Sequence, residues 1–588
     1  MINIISRIFF CIEKSMKRKL ISIQILSIFS SIFTAASALL IAPFIAILIN
    51  KDAVLESKWV KPFVNKFPEE DLIIYLVIII VLFYCISILA NLTVSYFNLK
   101  WSNHLEIYFK TIMFKYFLLQ DLLFHINNSS KLLLSKIHHD TDRLKGEVID
   151  PTLDLITNIF LIFFVLLTII LVNFKVAGLV FIVFFTFYLF FYLFFKKKMR
   201  KIGDLITRSY PVYHKTISDS FFSIRDTILY KKKLYFLDLF IKTTRERCNA
   251  ITEQLFLLKL PRNIIEIFVF SAIVLVMTYF VEIKKYQFQE IGPYIAFYGI
   301  CVIKLLPAFQ KIFQNYTLIK SHLSAFESIE QDLIEARKMQ NLSIDEEIPD
   351  SKLSFKKELE LKDITFRYPG KRSKGLSNVS IKIKKGQKIG IVGKTGSGKS
   401  TMIDLICGFL NFEKGEFIID GKTINQDTIS SWQKNISIVP QNFFISDGSL
   451  KNNIAFGCSN ESIDEEKIKN CLKIACLNEF IDNLDLDLGE NGERVSGGQA
   501  QRVAISRAIY NDPEVLILDE ATSALDTNTE KNIFENLKKF ESIETIIIVS
   551  HRIETLKECD DIYLMSEGKL TKLKDYDELL STYRKINN

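Results

Sequence analysis

Two long stretches of this 588-residue chain carry no charged residue, and they constrain its fold more than any other feature of the sequence. Leu20–Asn50 and Leu72–Leu99 each exceed the roughly 20 apolar residues that a helix needs to cross a bilayer. Four further apolar segments of similar character follow them. The sequence therefore predicts an α-helical membrane domain within residues 1–327, with six spans near residues 20–50, 72–99, 155–174, 176–195, 264–281 and 291–310.

The distribution of basic residues predicts the orientation of these spans. The formal net charge is only +8, and the basic runs adjoin apolar segments, which favours membrane flanks over nucleic-acid binding. One run precedes the first span and another follows the fourth: Lys14, Lys17, Arg18 and Lys19, then Lys196, Lys197, Lys198, Arg200 and Lys201. We therefore expect a multi-pass protein of the cytoplasmic membrane, with no nucleic-acid partner, no removable signal peptide, and both termini in the cytoplasm.

The segments between and after the spans predict the remaining organisation. The inner loops, 100–154 and 196–262, contain few Gly or Pro residues, which indicates long cytoplasmic helical extensions. In the outer loop 52–67, apolar residues recur at helical spacing, typical of either an interfacial helix or an extension of the flanking spans. Residues 328–355 are highly charged and predict a linker. Residues 356–588 alternate short β-like runs with helical stretches, which predicts an α/β domain.

A phosphate-binding loop is the clearest motif of this second domain. The apolar run Lys388–Val392 precedes a match to G-x-x-x-x-G-K-[ST], and a helical stretch follows it. In such a loop the backbone N–H groups and the helix N-terminus bind phosphate oxygens. We expect Lys399 to reach the β and γ phosphates and Ser400 to bind Mg²⁺. The loop comprises Gly393, Lys394, Thr395, Gly396, Ser397, Gly398, Lys399, Ser400 and Thr401.

Two further strand ends carry chemistry. A run from Val515 ends in Asp519 and Glu520, which suit a magnesium ligand and a general base that polarises water. Two solvated acids at a strand end are the alternative. Thr545–Val549 ends at Ser550 and His551; a lone histidine is usually structural, but at this position we expect contact with the γ-phosphate.

A second anion site is predicted from Ser496, Gly497, Gly498 and Gln499, which precede the helical run Ala500–Tyr510. One domain thus offers two phosphate-binding loops. The simplest explanation is that two nucleotides are shared between two copies of the domain.

Together these motifs resemble those of an ATP-binding-cassette half-transporter of the exporter type, with the membrane domain fused ahead of the cassette. The resemblance implies a P-loop ATP-binding-cassette fold, bound ATP and Mg²⁺, and coupled ATP hydrolysis. Because none of these motifs is missing, we expect a homodimer, with a heterodimer as the alternative. It also implies that Tyr368 in "FRYPG" stacks on adenine, that Gln441 in "IVPQN" contacts Mg²⁺ and water, and that Asp526 in "SALD" lies between subunits. Ser496–Gln499 would bind the ATP held by the opposite subunit, and His551 would be the switch histidine.

Charged residues within the predicted spans bear on the substrate. Glu266 lies near the start of the fifth span, and Lys304 lies in the sixth beside Pro307. Intramembrane charges usually face a cavity or a partner. One interpretation is a structural Glu266–Lys304 pair or snorkelling towards the interface. The other is that Lys304 and Lys311 line an inner cavity and attract an anionic substrate group.

These marks resemble the bacterial flippases of lipid-linked oligosaccharides, on the evidence of Pro261, Arg262 and Glu266, the basic residue before Leu-Leu-Pro, and the outer loop. The implied substrate is an amphipathic, anionic glycolipid that contacts membrane lipids. Export of a peptide, a drug or a lipid A-like lipid is the alternative. A third alternative is an ATP-gated channel or regulator that does not pump. Degenerate catalytic residues would favour it, whereas the catalytic motifs of this sequence are intact.

Overall fold

A computed structural model describes residues 2–40, 44, 72–172, 174–279, 288–340, 352–369, 375–540 and 542–587. The chain forms two compact units, Met1–Leu119 with Asn128–Asn341 and Gln120–Asn127 with Leu342–Asn588. The predicted interfacial helix at 52–67 lies outside the described residues.

Long helices build the first unit. They follow from the near absence of Gly and Pro in the corresponding sequence, and the 47 residues of Leu72–Leu118 span about 70 Å at 1.5 Å per residue, twice the hydrocarbon thickness of a bilayer. The predicted long extensions are therefore confirmed. In chain order, the α-helices that the structure describes up to residue 338 are α1 Ile2–Phe10, α2 Lys14–Leu39, α3 Leu72–Leu118, α4 Leu122–Asn127, α5 Ser130–Ser135, α6 Thr141–Arg143, α7 Asp150–Val172, α8 Phe174–Phe222, α9 Ile224–Leu229, α10 Lys233–Thr278, α11 Phe288–Ser321 and α12 Leu323–Lys338.

The predicted spans lie on α2, α3, α7, α8, α10 and α11 wherever the structure describes them. Within the described residues, four helical segments are long and apolar enough to cross a membrane: Lys14–Leu39, Val77–Leu118, Ser130–Val172 and Ile295–Ser321. The segment Ser130–Val172 contains two π-helical segments, Lys136–Asp140 and Leu144–Ile149.

Helices α2 and α3 pack antiparallel along a seam of buried polar side chains. Thr34 Oγ1 lies 2.7 Å from Ser87 Oγ, and Ser30 Oγ donates to Asn91 Oδ1 at 2.7 Å. Trp101 Nε1 donates to the Met16 carbonyl at 3.0 Å. Small residues allow this close approach, and interhelical hydrogen bonds satisfy polar groups that lipid cannot.

The linker prediction for 328–355 is wrong at its beginning, because residues 328–338 form most of α12. Phe326, Ile329, Leu333 and Ala336 recur at helical spacing and are buried against the first unit. The charged residues that suggested a linker occupy the other face of this amphipathic helix.

The second unit is an α/β cassette, as predicted. A six-stranded sheet has the order β10-β9-β3-β8-β7-β6, with β10 antiparallel and the rest parallel. A four-stranded antiparallel sheet has the order β2-β1-β4-β5. The strands are β1 Glu358–Phe366, β2 Leu376–Lys384, β3 Lys388–Val392, β4 Lys414–Ile419, β5 Lys422–Thr423, β6 Ile436–Val439, β7 Val515–Asp519, β8 Thr545–Val549, β9 Asp561–Ser566 and β10 Lys569–Leu573. Its helices are α13 Lys399–Ile406, α14 Gln426–Gln433, α15 Leu450–Ile454, α16 Glu465–Ile474, α17 Gly497–Tyr510, α18 Thr527–Lys538 and α19 Tyr576–Asn587.

Hydrophobic clusters cover both faces of the six-stranded sheet. Along β7, Leu516 and Leu518 pack into one cluster, and Val515 and Ile517 pack into the other. This alternation explains why parallel strands read as continuous apolar runs in the sequence. Helix α4 belongs to this unit, where Leu123 packs against the second cluster.

Candidate functional site

The carboxyl ends of four neighbouring parallel strands define the site. Strands β3, β8, β7 and β6 are adjacent in the sheet, and the chain leaves each of them at the same edge. Ligands of open α/β sheets bind at this edge. The topology thereby brings together four segments that are far apart in the sequence: the P-loop, His551, the Asp519–Glu520 pair and Gln441.

The P-loop turns sharply between β3 and α13. Gly396 and Gly398 adopt φ of +76° and +115°, a region that costs residues with a Cβ atom 1–3 kcal/mol, to order of magnitude. The Lys399 side chain is buried, and its Nζ donates to the carbonyl oxygens of Gly393 at 2.7 Å and Lys394 at 3.1 Å. The ammonium group therefore folds back over the loop.

The loop fits a phosphate group. Burial lowers the pKa of the Lys399 ammonium, although the carboxylates of Glu520 and Asp519 oppose that shift. Ser397 Oγ is buried without a hydrogen-bond partner in the described part of the chain. A nucleotide phosphate would supply both groups with an oxygen acceptor, and α13 would present its N-terminus to the same anion.

Ser400 and Asp519 are the best-placed oxygen donors for a divalent cation. Ser400 Oγ lies 3.5 Å from Asp519 Oδ2. Burial, reinforced by the charge of Glu520, raises the pKa of Asp519. A cation would relieve this destabilisation of the Asp519 carboxylate, so the pair fits Mg²⁺, which prefers oxygen ligands and keeps several waters.

Glu520 is held by side chains from both neighbouring strand ends. Gln441 Nε2 donates to its Oε2 at 2.7 Å, and His551 Nε2 lies 2.7 Å from its Oε1. Glu520 also adopts φ of +53°, while its N–H donates to the Val549 carbonyl at 2.9 Å. An uncommon backbone conformation fixed by its surroundings is typical of functional sites. The geometry orients one carboxylate at the edge where a γ-phosphate would bind.

The segment Ser496–Gln499, the signature segment, caps helix α17. Ser496 Oγ accepts from the Gln499 N–H at 3.2 Å, and Gln499 Oε1 accepts from the Ser496 N–H at 2.9 Å. This capping box leaves Ser496 and Gly497 exposed at the helix N-terminus. Among the described residues, no hydrogen bond or ion pair joins Ser496–Gln499 to the P-loop of the same chain.

Asp526 and Tyr368 each support a local structure. Asp526 caps α18 by accepting from the N–H groups of Asn528 and Thr529, and hydrogen bonding to Thr529 foremost lowers its pKa. Tyr368 packs edge-on against Phe366, with ring centroids 4.9 Å apart. Its hydroxyl lies 3.2 Å from Thr401 Oγ1, beside the P-loop.

Two polar residues of this region were missed in the sequence. Gln501, 2% exposed, donates to the Glu520 carbonyl at 3.3 Å and accepts from the Ala524 N–H at 3.1 Å. The Arg552 guanidinium donates to the carbonyls of Ser523 at 2.8 Å and Leu525 at 3.0 Å. For Gln501, the available signal was a polar residue on the apolar face of α17. For Arg552, the sequence contains no pattern that would have indicated its role.

The three charged residues predicted near a substrate cavity have different neighbours. Arg262 Nε lies 4.0 Å from Glu266 Oε2, one turn away on α10, and within the described residues no ion pair joins Glu266 to Lys304. Lys304 Nζ lies 5.0 Å from the centroid of the Tyr84 ring. Lys311 Nζ lies 3.7 Å from Asp154 Oδ2.

Comparisons with known proteins agree with both units. The family model described as ABC transporter matches residues 376–523, and the model described as ABC transporter transmembrane region matches residues 20–304. The solved structure of a bacterial Atm1-family ABC exporter with ATP bound superposes with a TM-score of 0.69 at 20% identity and covers 97% of both chains.

Among curated relatives, the ATP-dependent lipid A-core flippase of Salmonella typhimurium is 34% identical over 229 residues, and that of Escherichia coli K12 is 37% identical over 226. Each match covers 38% of this chain and 39% of the relative. The similarity to these two proteins thus spans well under half of their length.

Proposed function

Because this chain is an ATP-binding-cassette exporter whose membrane domain and ATP cassette are fused in one polypeptide, we propose that it hydrolyses ATP to move an amphipathic glycolipid across the cytoplasmic membrane. The observation that carries the proposal is the convergence of Lys399, Asp519, Glu520, Gln441 and His551 at one sheet edge. Both termini and the cassette would lie in the cytoplasm, as the basic flanks indicate.

Hydrolysis is derived from the residues at that edge. The P-loop and Lys399 bind and orient the phosphates, and Glu520 accepts a proton from the attacking water. Gln441 and His551 hold the Glu520 carboxylate in place. Ser400, Asp519 and Gln441 would bind Mg²⁺, which neutralises charge on the phosphate oxygens.

Two features support a homodimer. The exposed Ser496–Gly497 helix end offers a second phosphate site with no link to its own P-loop among the described residues. Around α9, Phe221, Phe222 and Leu229 are about 70% exposed, at 68%, 73% and 70%. An apolar patch of this kind marks an interaction surface, and we propose that the cassette of a second copy covers it.

An amphipathic substrate is supported by an aromatic groove of about 510 Å³ between α7, α8 and α11. Apolar side chains such as Phe163 and Phe313 line its length, and Tyr192 and Tyr316 lie in its wall. Lys320 Nζ contacts Tyr192 OH at 2.5 Å and lies over both tyrosine rings. The groove thus offers an apolar surface for a lipid tail, and Lys320, next to its two wall tyrosines, offers a cationic group for an anionic head. The names of the curated relatives are consistent with a glycolipid.

The test is transport by purified protein in liposomes. With ATP added outside the vesicles, a fluorescent lipid-linked oligosaccharide should become protected from a membrane-impermeant quencher, because cassettes that face outwards then move it to the inner leaflet, and Glu520→Gln should abolish this movement. A lipid A-type glycolipid, a peptide and a drug serve as competing substrates. ATP-driven movement of the peptide or the drug alone would replace the glycolipid proposal with the alternative exporter, and ion conductance without substrate movement would favour the channel.

A further inference from the structure

A basic groove of about 450 Å³ between α2 and α3 has no role in the proposed transport cycle. Its rim carries Lys19 from α2 and Lys100 and His104 from α3. All three side chains are exposed. Lys100 and His104 are one helical turn apart and so share a face.

The two lysines mark the same boundary of the membrane. Lys19 is the last charged residue before the charge-free segment that begins at Leu20, and Lys100 is the first after the segment that ends at Leu99. Because α2 and α3 are antiparallel, as the Met16–Trp101 and Thr34–Ser87 contacts require, these two ends lie side by side. Lipid phosphates occupy this polar boundary of a bilayer.

The charges of the rim are not compensated. In the described part of the chain, no carboxylate lies within ion-pair distance of Lys19, Lys100 or His104. By contrast, Lys110 on the same helix contacts both Glu106 and Asp142 at 2.6 Å. Lys100 Nζ instead lies 5.9 Å from the centroid of the Tyr96 ring.

The floor of the groove is apolar and continues towards the membrane interior. Ile23 and Leu26 from α2 face Trp101 from α3. Trp101 is only 6% exposed, and its N–H is satisfied by the Met16 carbonyl. An occupant therefore needs an anionic head for the rim and an acyl chain for the floor.

We propose that this groove binds one anionic phospholipid of the cytoplasmic leaflet, with its phosphate between Lys19 and Lys100. The leaflet follows from the orientation proposed above. Lipid binding itself requires only that α2 and α3 span the membrane, and it is measured without nucleotide, so it stands or fails separately from ATP-driven transport.

The experiment uses full-length protein in phosphatidylcholine vesicles that contain a minor fraction of phosphatidylglycerol. Bromine is placed on the acyl chains of either lipid at equal mole fraction, and its quenching of Trp101 fluorescence is taken as the difference from the Trp101→Phe variant. We expect association of the anionic lipid to be favoured about tenfold. The double variant Lys19→Gln with Lys100→Gln should lose this preference, whereas Lys14→Gln with Arg18→Gln, which removes two charges from the same helix end, should keep it.

Four results would overturn the proposal. Equal quenching by both lipids in the wild-type protein would mean that the groove does not select anionic lipid, and this comparison does not depend on any lysine variant folding. Quenching by neither lipid would indicate a groove closed by a second copy. Loss of preference in the Lys14/Arg18 control would assign the effect to general surface charge. If inorganic phosphate abolished the preference for the anionic lipid, and sodium chloride of equal ionic strength did not, the site would be assigned to free phosphate.

Discussion

At the scale of single residues, the proposed ATP hydrolysis depends most on the Glu520 carboxylate. Its two oxygens contact Gln441 and His551, which come from two other strand ends. Asp519, one residue earlier, is directed at Ser400 instead. Neighbouring acids therefore have different surroundings, which separates the proposed base from the proposed magnesium ligand.

Replacing Glu520 by Gln should reduce ATP turnover by about 10²–10⁴-fold, because the amide cannot accept the proton. ATP binding, measured with a fluorescent nucleotide, should persist, since Lys399 and the P-loop are unchanged. Glu461→Gln, an exposed glutamate of the same cassette, is the matched control and should keep normal turnover. Retention of full ATPase activity by the Glu520 variant would refute the assignment of the base.

The sequence predicts site residues directly only where their signals are local. The P-loop, Asp519–Glu520 and Ser496–Gln499 are each contiguous, so strand, loop and helix signals coincide in one segment. The sequence does not predict Gln501 and Arg552, whose partners lie 19–29 residues away along the chain. Those contacts exist only once α17 and the strand ends are assembled.

At the scale of elements, the turn between β4 and β5 anchors the start of β1. Asp420, with φ of +48°, accepts from the N–H groups of Lys356, Lys357 and Glu358 at 2.6, 2.7 and 2.9 Å. Burial raises the pKa of Asp420, but these backbone hydrogen bonds outweigh it and hold the pKa below its ordinary value. The charged carboxylate thus stabilises the junction of three strands.

The substitution Asp420→Asn should destabilise the cassette by about 1 kcal/mol at pH 7, because the amide is a weaker acceptor. A depressed pKa contributes stability above the unfolded value, near pH 3.9, and this contribution is lost as the pH falls through the folded value. The difference between variant and wild type should therefore shrink below about pH 4. Thermal unfolding, followed through the fluorescence of Trp432 in the cassette core, measures this difference in stability.

Asp447→Asn, at an exposed position of the cassette, is the control and should leave the unfolding midpoint unchanged. If Asp420→Asn lost the same stability at pH 3 as at pH 7, the carboxylate charge would not be the stabilising feature.

Element boundaries were predicted less well than element types. Helix α12 was missed because its charged face dominates the composition, while its buried stripe of Phe326, Ile329 and Leu333 is short. The strands β3, β7 and β8 were found because both of their faces are buried, which leaves continuous apolar runs.

At the scale of the whole molecule, the exposed patch around α9 is the surface that we propose the cassette of a second copy covers. Ile228→Ser with Leu229→Ser should retain ATP binding, because no site residue changes, but should reduce ATP-driven glycolipid movement in liposomes severalfold. The control is Ile107→Ser on α3, because the Ile107 side chain is about as exposed as those of Ile228 and Leu229. Unchanged transport by the double variant would argue that the patch is not an interface.

We propose that each ATP site combines the P-loop of one chain with the signature segment, Ser496–Gln499, of another. Two differently tagged chains can be co-purified as mixed dimers and their ATPase activity measured. A chain with Lys399→Ala paired with a chain with Ser496→Arg keeps one complete site if sites form between chains, so we predict about half of wild-type activity. A chain carrying both changes, paired with wild type, should then be inactive. The reverse result, with activity only in the second pairing, would show that each site forms within one chain and would rule out the shared site.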